Sequence, residues 1–301
     1  MKLSAVINTR NEAANIIRCL HSVVAHVDEV VVVDMESRDG TAALARKYTK
    51  RIYRHKYLGY VEPARNFAIA KASGDWVLVI DADEILPESL GLRLRQLIEG
   101  KYNFYRIPRK NLIFGRWIQH SGWWPDYQIR LFKKDSVVWN DEIHSIPITY
   151  GEGIDLPALP QEALMHFNYT GIDQYIERLM RYTSVEALQL VKENIPFNWK
   201  NIFHKPAHEF LTRFFVWEGY KDGLHGLVLS ILQSFSMLVV QLKHWEQHKF
   251  ITQDNPEFLD ETVTALRKVN NEVTYWYHTV KYRENEGVAK AISKIRAKIR
   301  L

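Results

Sequence analysis

The first eighty residues alternate short Val/Ile-rich runs with helical patterns, and no other feature restricts the fold of this chain as tightly. Leu3–Asn8, Glu29–Asp34, Arg51–His55 and Trp76–Asp81 read as strands, and Glu12–Ala25, Thr41–Tyr48 and Glu62–Ala72 between them read as helices. Strands alternating with helices predict βαβ units and an α/β fold with a mostly parallel sheet flanked by helices. Ligands in such sheets bind outside the carboxyl ends of the strands. The polar residues closing these strands, Asn8-Thr9-Arg10, Asp34 and Asp81-Ala82-Asp83, therefore converge on one edge.

The run Asp81-Ala82-Asp83-Glu84 follows Trp76-Val77-Leu78-Val79-Ile80, a segment apolar enough for a buried central strand. Three carboxylates in four residues repel one another unless a cation or donors compensate. Hard oxygen ligands of this kind suit Mg²⁺ or Mn²⁺ beside substrate phosphates, and they also suit a solvated acidic turn that starts a helix.

Several segments occur together in a telling order. Val6-Ile7-Asn8-Thr9-Arg10-Asn11-Glu12 is followed by Val32-Val33-Asp34-Met35-Glu36-Ser37-Arg38-Asp39-Gly40-Thr41, then Ala64-Arg65-Asn66, Ser73-Gly74-Asp75 and Asp81-Ala82-Asp83. Their order and spacing resemble the family 2 glycosyltransferases. The block from Phe114 through Gly122-Trp123-Trp124-Pro125-Asp126-Tyr127 to Phe132 resembles the subgroup containing bacterial lipopolysaccharide-core β-glucosyltransferases. The resemblance runs from about Leu3 to Trp245. It implies a GT-A (Rossmann-like) catalytic domain over residues 1–170, a helical C-terminal extension over 171–301, a Mn²⁺ or Mg²⁺ ion and inverting transfer from a nucleotide-sugar, a UDP-sugar above all. Under it, Thr9 and Glu12 border the nucleoside, Asp34 accepts from the uracil N3–H, and Arg65 lies near the base or diphosphate. Asp83 ligates the metal, and Asp81 lies nearer the donor ribose or sugar. Many members read Asp-Asp-Gly-Ser where this chain has Asp34-Met35-Glu36-Ser37. Thr9 and Glu12 also fit a helix cap with an acidic first turn, and Arg65 a surface helix cation.

Inverting transfer needs a base for the acceptor hydroxyl. Asp126 is the candidate, because the adjacent indoles would desolvate it and raise its pKa. Trp123 and Trp124 offer stacking faces to an acceptor sugar. Glu142 is the reserve base. His144 is a candidate third metal ligand or diphosphate contact, although Ser145 follows it where related sequences often have Glu. Arg130 is a candidate phosphate contact or a strand-face cation, and His166 reads as structural.

From about Gly171 the pattern turns helical. Ile172–Glu193 suits one long helix, ended by Asn194-Ile195-Pro196. In Leu224–Leu242, the residues Leu224, Leu227, Val228, Ile231, Leu232, Phe235, Leu238, Val239 and Leu242 share one face. His225, Ser230, Gln233, Ser234, Ser236 and Gln241 share the other. Such a helix lies on a bilayer or packs its apolar face on the catalytic domain, the second being the commoner arrangement. No uninterrupted apolar run approaches about 18 residues, so no spanning helix is expected. The N-terminus lacks a signal peptide's apolar region.

The net charge of +5 has a single source. Removing the seven Lys/Arg and two Glu of residues 281–301 leaves 33 basic and 33 acidic residues. A broad nucleic-acid-binding face is therefore not expected. Within 288–301, Val288, Ala291, Ile292, Ile295 and Ile299 form an apolar stripe opposite Lys290, Lys294, Arg296, Lys298 and Arg300. A basic amphipathic helix of this kind suits an anionic membrane surface, at about 1 kcal/mol per basic residue. The same stripe suits docking on the domain or homo-oligomerisation. The single cysteine, Cys19, excludes an internal disulfide and fits a core position in a reducing cytoplasm.

The expected protein is thus a cytoplasmic transferase at the inner face of the membrane, acting on a lipid-linked or cell-surface glycan. A peptide or protein acceptor is the near variant, and a non-catalytic sugar-nucleotide-binding scaffold is the alternative from another class. A nucleotidyltransferase would need a Gly-rich phosphate loop after the first strand, where this chain has Asn8-Thr9-Arg10.

Overall fold

The structure, a computed structural model, describes residues 1–139, 147–252 and 255–284. The chain runs β1 (Leu3–Thr9), α1 (Ile16–Val23), β2 (Glu29–Asp34), α2 (Thr41–Ala45), β3 (Ile52–Arg54), α3 (Glu62–Lys71), β4 (Trp76–Val79), β5 (Glu84–Ile85) and α4 (Glu88–Ile98). It continues with β6 (Phe104–Ile113), β7 (Arg116–Trp117), β8 (Asp126–Lys133), β9 (Val137–Val138), β10 (Ile148–Thr149), β11 (Gly153–Asp155) and β12 (Leu164–Tyr169). Four long helices follow: α5 (Ile172–Lys192), α6 (Asn201–Leu211), α7 (Leu224–Gln247) and α8 (Phe258–Glu284).

The main sheet has the order β3-β2-β1-β4-β8-β6-β12-β5. Strands β3, β2, β1 and β4 are mutually parallel, as the βαβ pattern requires, and β8 pairs antiparallel with both β4 and β6. All of β1, β2 and β4 is buried, which explains why these strands are continuously apolar rather than alternating. One side of the sheet packs Ile16, Cys19 and Leu20 of α1 with Leu90 and Leu94 of α4 against Ile7, Val32 and Leu78. The other packs Ala64, Ala68 and Ile69 of α3 against Val6, Val31 and Val77.

Two compact units divide the chain. One comprises residues 1–117 and 123–168; the other comprises 118–122 and 169–301. Within the helical unit, Asp222 ties down residues 118–122 by accepting from the backbone N–H of Gln119 (3.1 Å) and His120 (2.8 Å). Gly122 (φ +77°) lies so close to Trp217 that a Cβ there would sit 2.7 Å from the indole.

Helix α7 buries a mixed face. Leu229, Val239 and Val240 are buried together with the small or polar Gly226, Ser230, Gln241 and His244. Ser230 Oγ donates to Gly226 O, Gln233 Nε2 to Tyr175 Oη, and Ser234 Oγ to Pro206 O. Leu224, Ile231, Phe235 and Leu242 face outward, with Leu224 72% exposed. Side-chain hydrogen bonding to α5 and α6 helps to select the buried face, and the outer edge of the apolar stripe stays at the surface. Contrary to the expectation from unbroken apolar runs, α7 is by length and composition alone long and apolar enough to cross a membrane.

Candidate active site

The parallel register supplies the site's floor. Thr9 pairs with Asp34 at the ends of β1 and β2, and Val6 with Val79 on β4. Beyond β4 the chain turns through Asp81-Ala82-Asp83, with Glu84 N–H donating to Asp81 O (2.9 Å). Strand β12 then pairs with β5, setting His166 opposite Glu84, and Phe167 N–H donates to Asp83 O (2.9 Å). A residue eighty positions downstream is thereby placed beside the acidic turn.

The acidic cluster is compensated by arginines. Arg65 Nη2 donates to Asp81 Oδ1 (3.0 Å), and Arg130 donates to Asp81 Oδ2 and to Glu84 Oε1 (2.6 Å). Arg109 reaches Glu84 Oε1 at 3.3 Å. Glu84 is fully buried and also accepts from the Asp81 backbone N–H (2.9 Å). Burial pushes the Asp81 carboxyl up, but Arg130, Arg65 and Arg109 outweigh it and hold Asp81 well below the usual carboxylate range. Burial likewise opposes the charge on Arg130, and Asp81 and Glu84 overcome it. Arg130, expected to meet phosphate, is instead a buried counter-ion, only 3% exposed. Its place on β8, antiparallel to β4, turns it toward the acidic turn rather than outward.

A second chain of contacts links the acidic turn to Asp126. Asn111 Nδ2 donates to Trp123 O and to Asp126 Oδ2, both at 3.0 Å. Its Oδ1 must therefore accept from His166, and the ring's Nδ1, 2.7 Å away, carries that hydrogen. The other ring nitrogen, Nε2, lies 3.4 Å from Asp83 Oδ2. A carboxylate and an imidazole at that distance suit either an ion pair or a shared metal cation. The buried hydrogen bond to Asn111 agrees with a structural role for His166, and only the β5–β12 pairing brings the ring to Asp83 as well.

Asp126 does not have the expected pKa. Burial raises it, but Arg109, then Asn111 and Gln128, more than reverse this, and its carboxyl sits below the ordinary value. Arg109 Nε and Nη2 both donate to Oδ2 (2.9 and 2.6 Å), and Gln128 Nε2 donates to Oδ1 (2.8 Å). The flanking tryptophans do not set its titration. Trp123 and Trp124 are half-buried, and Trp124 meets Trp117 edge-on at 5.4 Å.

Asn8 Oδ1 and Thr9 Oγ1 at the end of β1, and Arg65 Nη1 on α3, are buried without a hydrogen-bond partner among the described residues. Such atoms are costly unless a ligand satisfies them. Asp34 is buried, with the Ser37 N–H 3.3 Å from its carboxylate. Glu12 precedes α1 rather than lying in its first turn: its carbonyl accepts from Asn15 and Ile16, and its carboxylate from Asn15 Nδ2. Glu142, His144 and residues 288–301 lie outside the described residues. Among the described residues no three His, Cys, Asp or Glu side chains form a metal-holding group, so Asp83 and His166 stand as a pair.

Comparison with known proteins gives this geometry its family. Residues 4–149 match the model of glycosyl transferase family 2. An uncharacterized glycosyltransferase of Rickettsia felis is 31% identical over 247 residues, covering 78% of this chain and 86% of its own. The lipopolysaccharide core biosynthesis glycosyltransferase LpsC of Rhizobium meliloti is 25% identical over 265 residues, covering 85% and 96%. Among solved structures, Staphylococcus aureus TarS residues 1–349 in complex with UDP is 18% identical with a TM-score of 0.41, covering 99% of this chain and 89% of that one. The chain is a glycosyltransferase with the GT-A fold, and it belongs to glycosyltransferase family 2.

Proposed function

We propose that this glycosyltransferase moves a sugar with inversion from a UDP-sugar to a lipid-linked or cell-surface glycan, at the cytoplasmic face of a membrane. The observation that carries the metal-dependent donor site is the facing pair of Asp83 Oδ2 and His166 Nε2. One carboxylate and one imidazole suit Mn²⁺ better than Mg²⁺, which takes oxygen ligands. Asp83 and His166 would hold the ion, which when bound would offset charge on a departing diphosphate. Asn111 holds the ring through Nδ1, which leaves Nε2 on the side of Asp83. Arg65 Nη1, Thr9 Oγ1 and Asn8 Oδ1 offer the unpaired polar atoms that a nucleotide would satisfy.

Asp126 is the base in this reading. It is ionised over the whole neutral range, so what limits it is access rather than protonation. Oδ2 is engaged by Arg109 and Asn111, so Oδ1 is the oxygen that takes the acceptor proton, by exchanging the Gln128 amide for the acceptor hydroxyl. Trp123 and Trp124 would stack against the acceptor ring. The membrane site is supported by the outward apolar stripe of α7 and by the basic pattern of residues 288–301. The relationship to LpsC supports a lipopolysaccharide-type acceptor.

The test is a thermal-shift panel of UDP-, GDP-, CMP- and dTDP-sugars with Mn²⁺, Mg²⁺ or EDTA. Stabilisation by the UDP class, lost with EDTA and lost in His166→Gln without a fall in basal Tm, is expected. A shift that survives EDTA removes the metal from the donor site. A shift confined to another nucleotide removes UDP.

A further inference from the structure

Helix α8 spans 27 residues, of which only Ala265 and Val280 are buried. Apart from Phe258 (42% exposed) and Tyr275 (38%), its outward apolar residues form a single row. Leu259 (73% exposed), Val263 (37%), Leu266 (49%), Val273 (38%) and Tyr277 (50%) fall with the exposed Asn270 at spacings of four, three, four, three and four. That is the a/d repeat of a coiled coil, sustained until Val280 turns into the helical unit as a 3.6-residue helix drifts from a 3.5-residue repeat. A bilayer-binding helix carries a broad apolar face without a polar interruption. Here the seam is narrow, and an amide stands at its centre.

We propose that α8 is the pairing surface for a second copy of this chain, forming a parallel, in-register two-helix seam. This goes beyond the transferase reading and does not depend on it. Residue types at the seam select the geometry. Leu259, Leu266 and Val273 occupy d, Val263 and Tyr277 occupy a, and Asn270 occupies the central a position; a β-branched a residue, Leu at d and one buried Asn favour two parallel strands with fixed register. Charge agrees. An antiparallel pair centred on the seam would oppose Arg267 to its own copy, whereas the parallel pair sets Arg267 across from Thr262 and Lys281 across from the Trp276 indole, a cation–π partner. The area sets the strength. Five apolar side chains per copy, at roughly 80–100 Å² each, bury about 800–1,000 Å² in total, below the ~1,200 Å² typical of stable complexes. The pairing is therefore reversible and concentration-dependent.

Sedimentation equilibrium on the full chain from about 1 to 100 µM, without detergent or lipid, tests this. The mass should rise toward twice the monomer's in wild type and stay monomeric in Leu266→Glu and Val273→Glu, whose exposed positions leave the Tm unchanged. Asn270→Cys should give a disulfide-linked dimer under mild oxidation, since only in-register parallel helices bring residue 270 against itself and Cys19 is buried. A chain that is monomeric throughout overturns the proposal, as does a dimer unaffected by either glutamate. A wild type that dimerises only after removal of residues 285–301 also overturns it, by making that segment the seam's occupant.

Discussion

The two units of this chain break the ordinary rules of burial in opposite directions. The sheet unit puts charge inside: Glu84 is fully buried, Arg130 nearly so, and Asp81, Arg65, Arg109 and Asp126 complete the network. The helical unit puts apolar groups outside, along α7 and α8, while Ser230, Gln241 and His244 are buried. Buried charge is costly unless paired, so its presence marks a place where fixed electrostatics serve a ligand. Exposed apolar rows cost the monomer nothing by packing inward and gain only when something covers them. The first kind of anomaly marks chemistry, and the second marks docking.

Four experiments would break or sharpen that contrast. Asp83→Ala has the largest expected effect, a loss of transfer on the order of 10³-fold with the fold intact. Steady-state kinetics beside a thermal melt check it, and normal turnover would remove Asp83 from the site. Arg130→Met leaves Glu84 buried without its counter-ion and should cost about 3–5 kcal/mol in urea denaturation. Its control, Arg95→Ala, breaks a half-exposed pair with Asp28 and should cost under about 1 kcal/mol. Equal costs would show that the inner network is no more than a surface one.

The third concerns pH. The folded value of Asp81 lies below its unfolded value, so its contribution is complete above about pH 4 and is lost as pH falls through the folded value. Asp28, held at about 2 by hydrogen bonds from Arg95 and the Leu3 backbone, adds a small loss between about pH 4 and 2. Stability measured from pH 7 down to 4 should therefore be nearly flat for these two groups, and Asp28→Asn should flatten only the lower window. A fall above pH 5 that Asp28→Asn or Asp81→Asn abolished would contradict the direction of these shifts. The smallest effect on stability is expected at α7. Ile231→Ser and Phe235→Ser should change the unfolding free energy by no more than about 0.5 kcal/mol, yet weaken binding to anionic liposomes. Destabilisation by several kcal/mol would mean that the stripe is packed after all.

The parallel half of the sheet was legible because its strands are short, apolar and punctuated by polar residues. Convergence of Thr9, Asp34 and Asp81 at one edge follows from parallel pairing alone. The helix read over 224–242 extends to Gln247, and the pattern left its orientation open between packing and a bilayer. Hydrogen bonds from Gln233 and Ser234 to α5 and α6 help to orient it, leaving Leu224, Ile231, Phe235 and Leu242 exposed. Asp126 was located from sequence, but the sign of its pKa shift was not. Trp123 and Trp124 are chain neighbours, whereas Arg109 arrives from β6 through the pairing Arg109↔Asp126.

By itself, the sequence determined the α/β alternation, the order of the family's segments, the acidic turn after the fourth strand and the basic end of the chain. These are properties of neighbours along the backbone, expressed through periodicity and spacing. Only the tertiary structure decided that His166 faces Asp83, that Arg65, Arg109 and Arg130 hold the acidic turn, and that α7 leaves Leu224, Ile231, Phe235 and Leu242 exposed. Those contacts join residues 16 to 83 positions apart, and the antiparallel strands β6, β8 and β12, whose order in the sheet no local pattern encodes, bring most of them together.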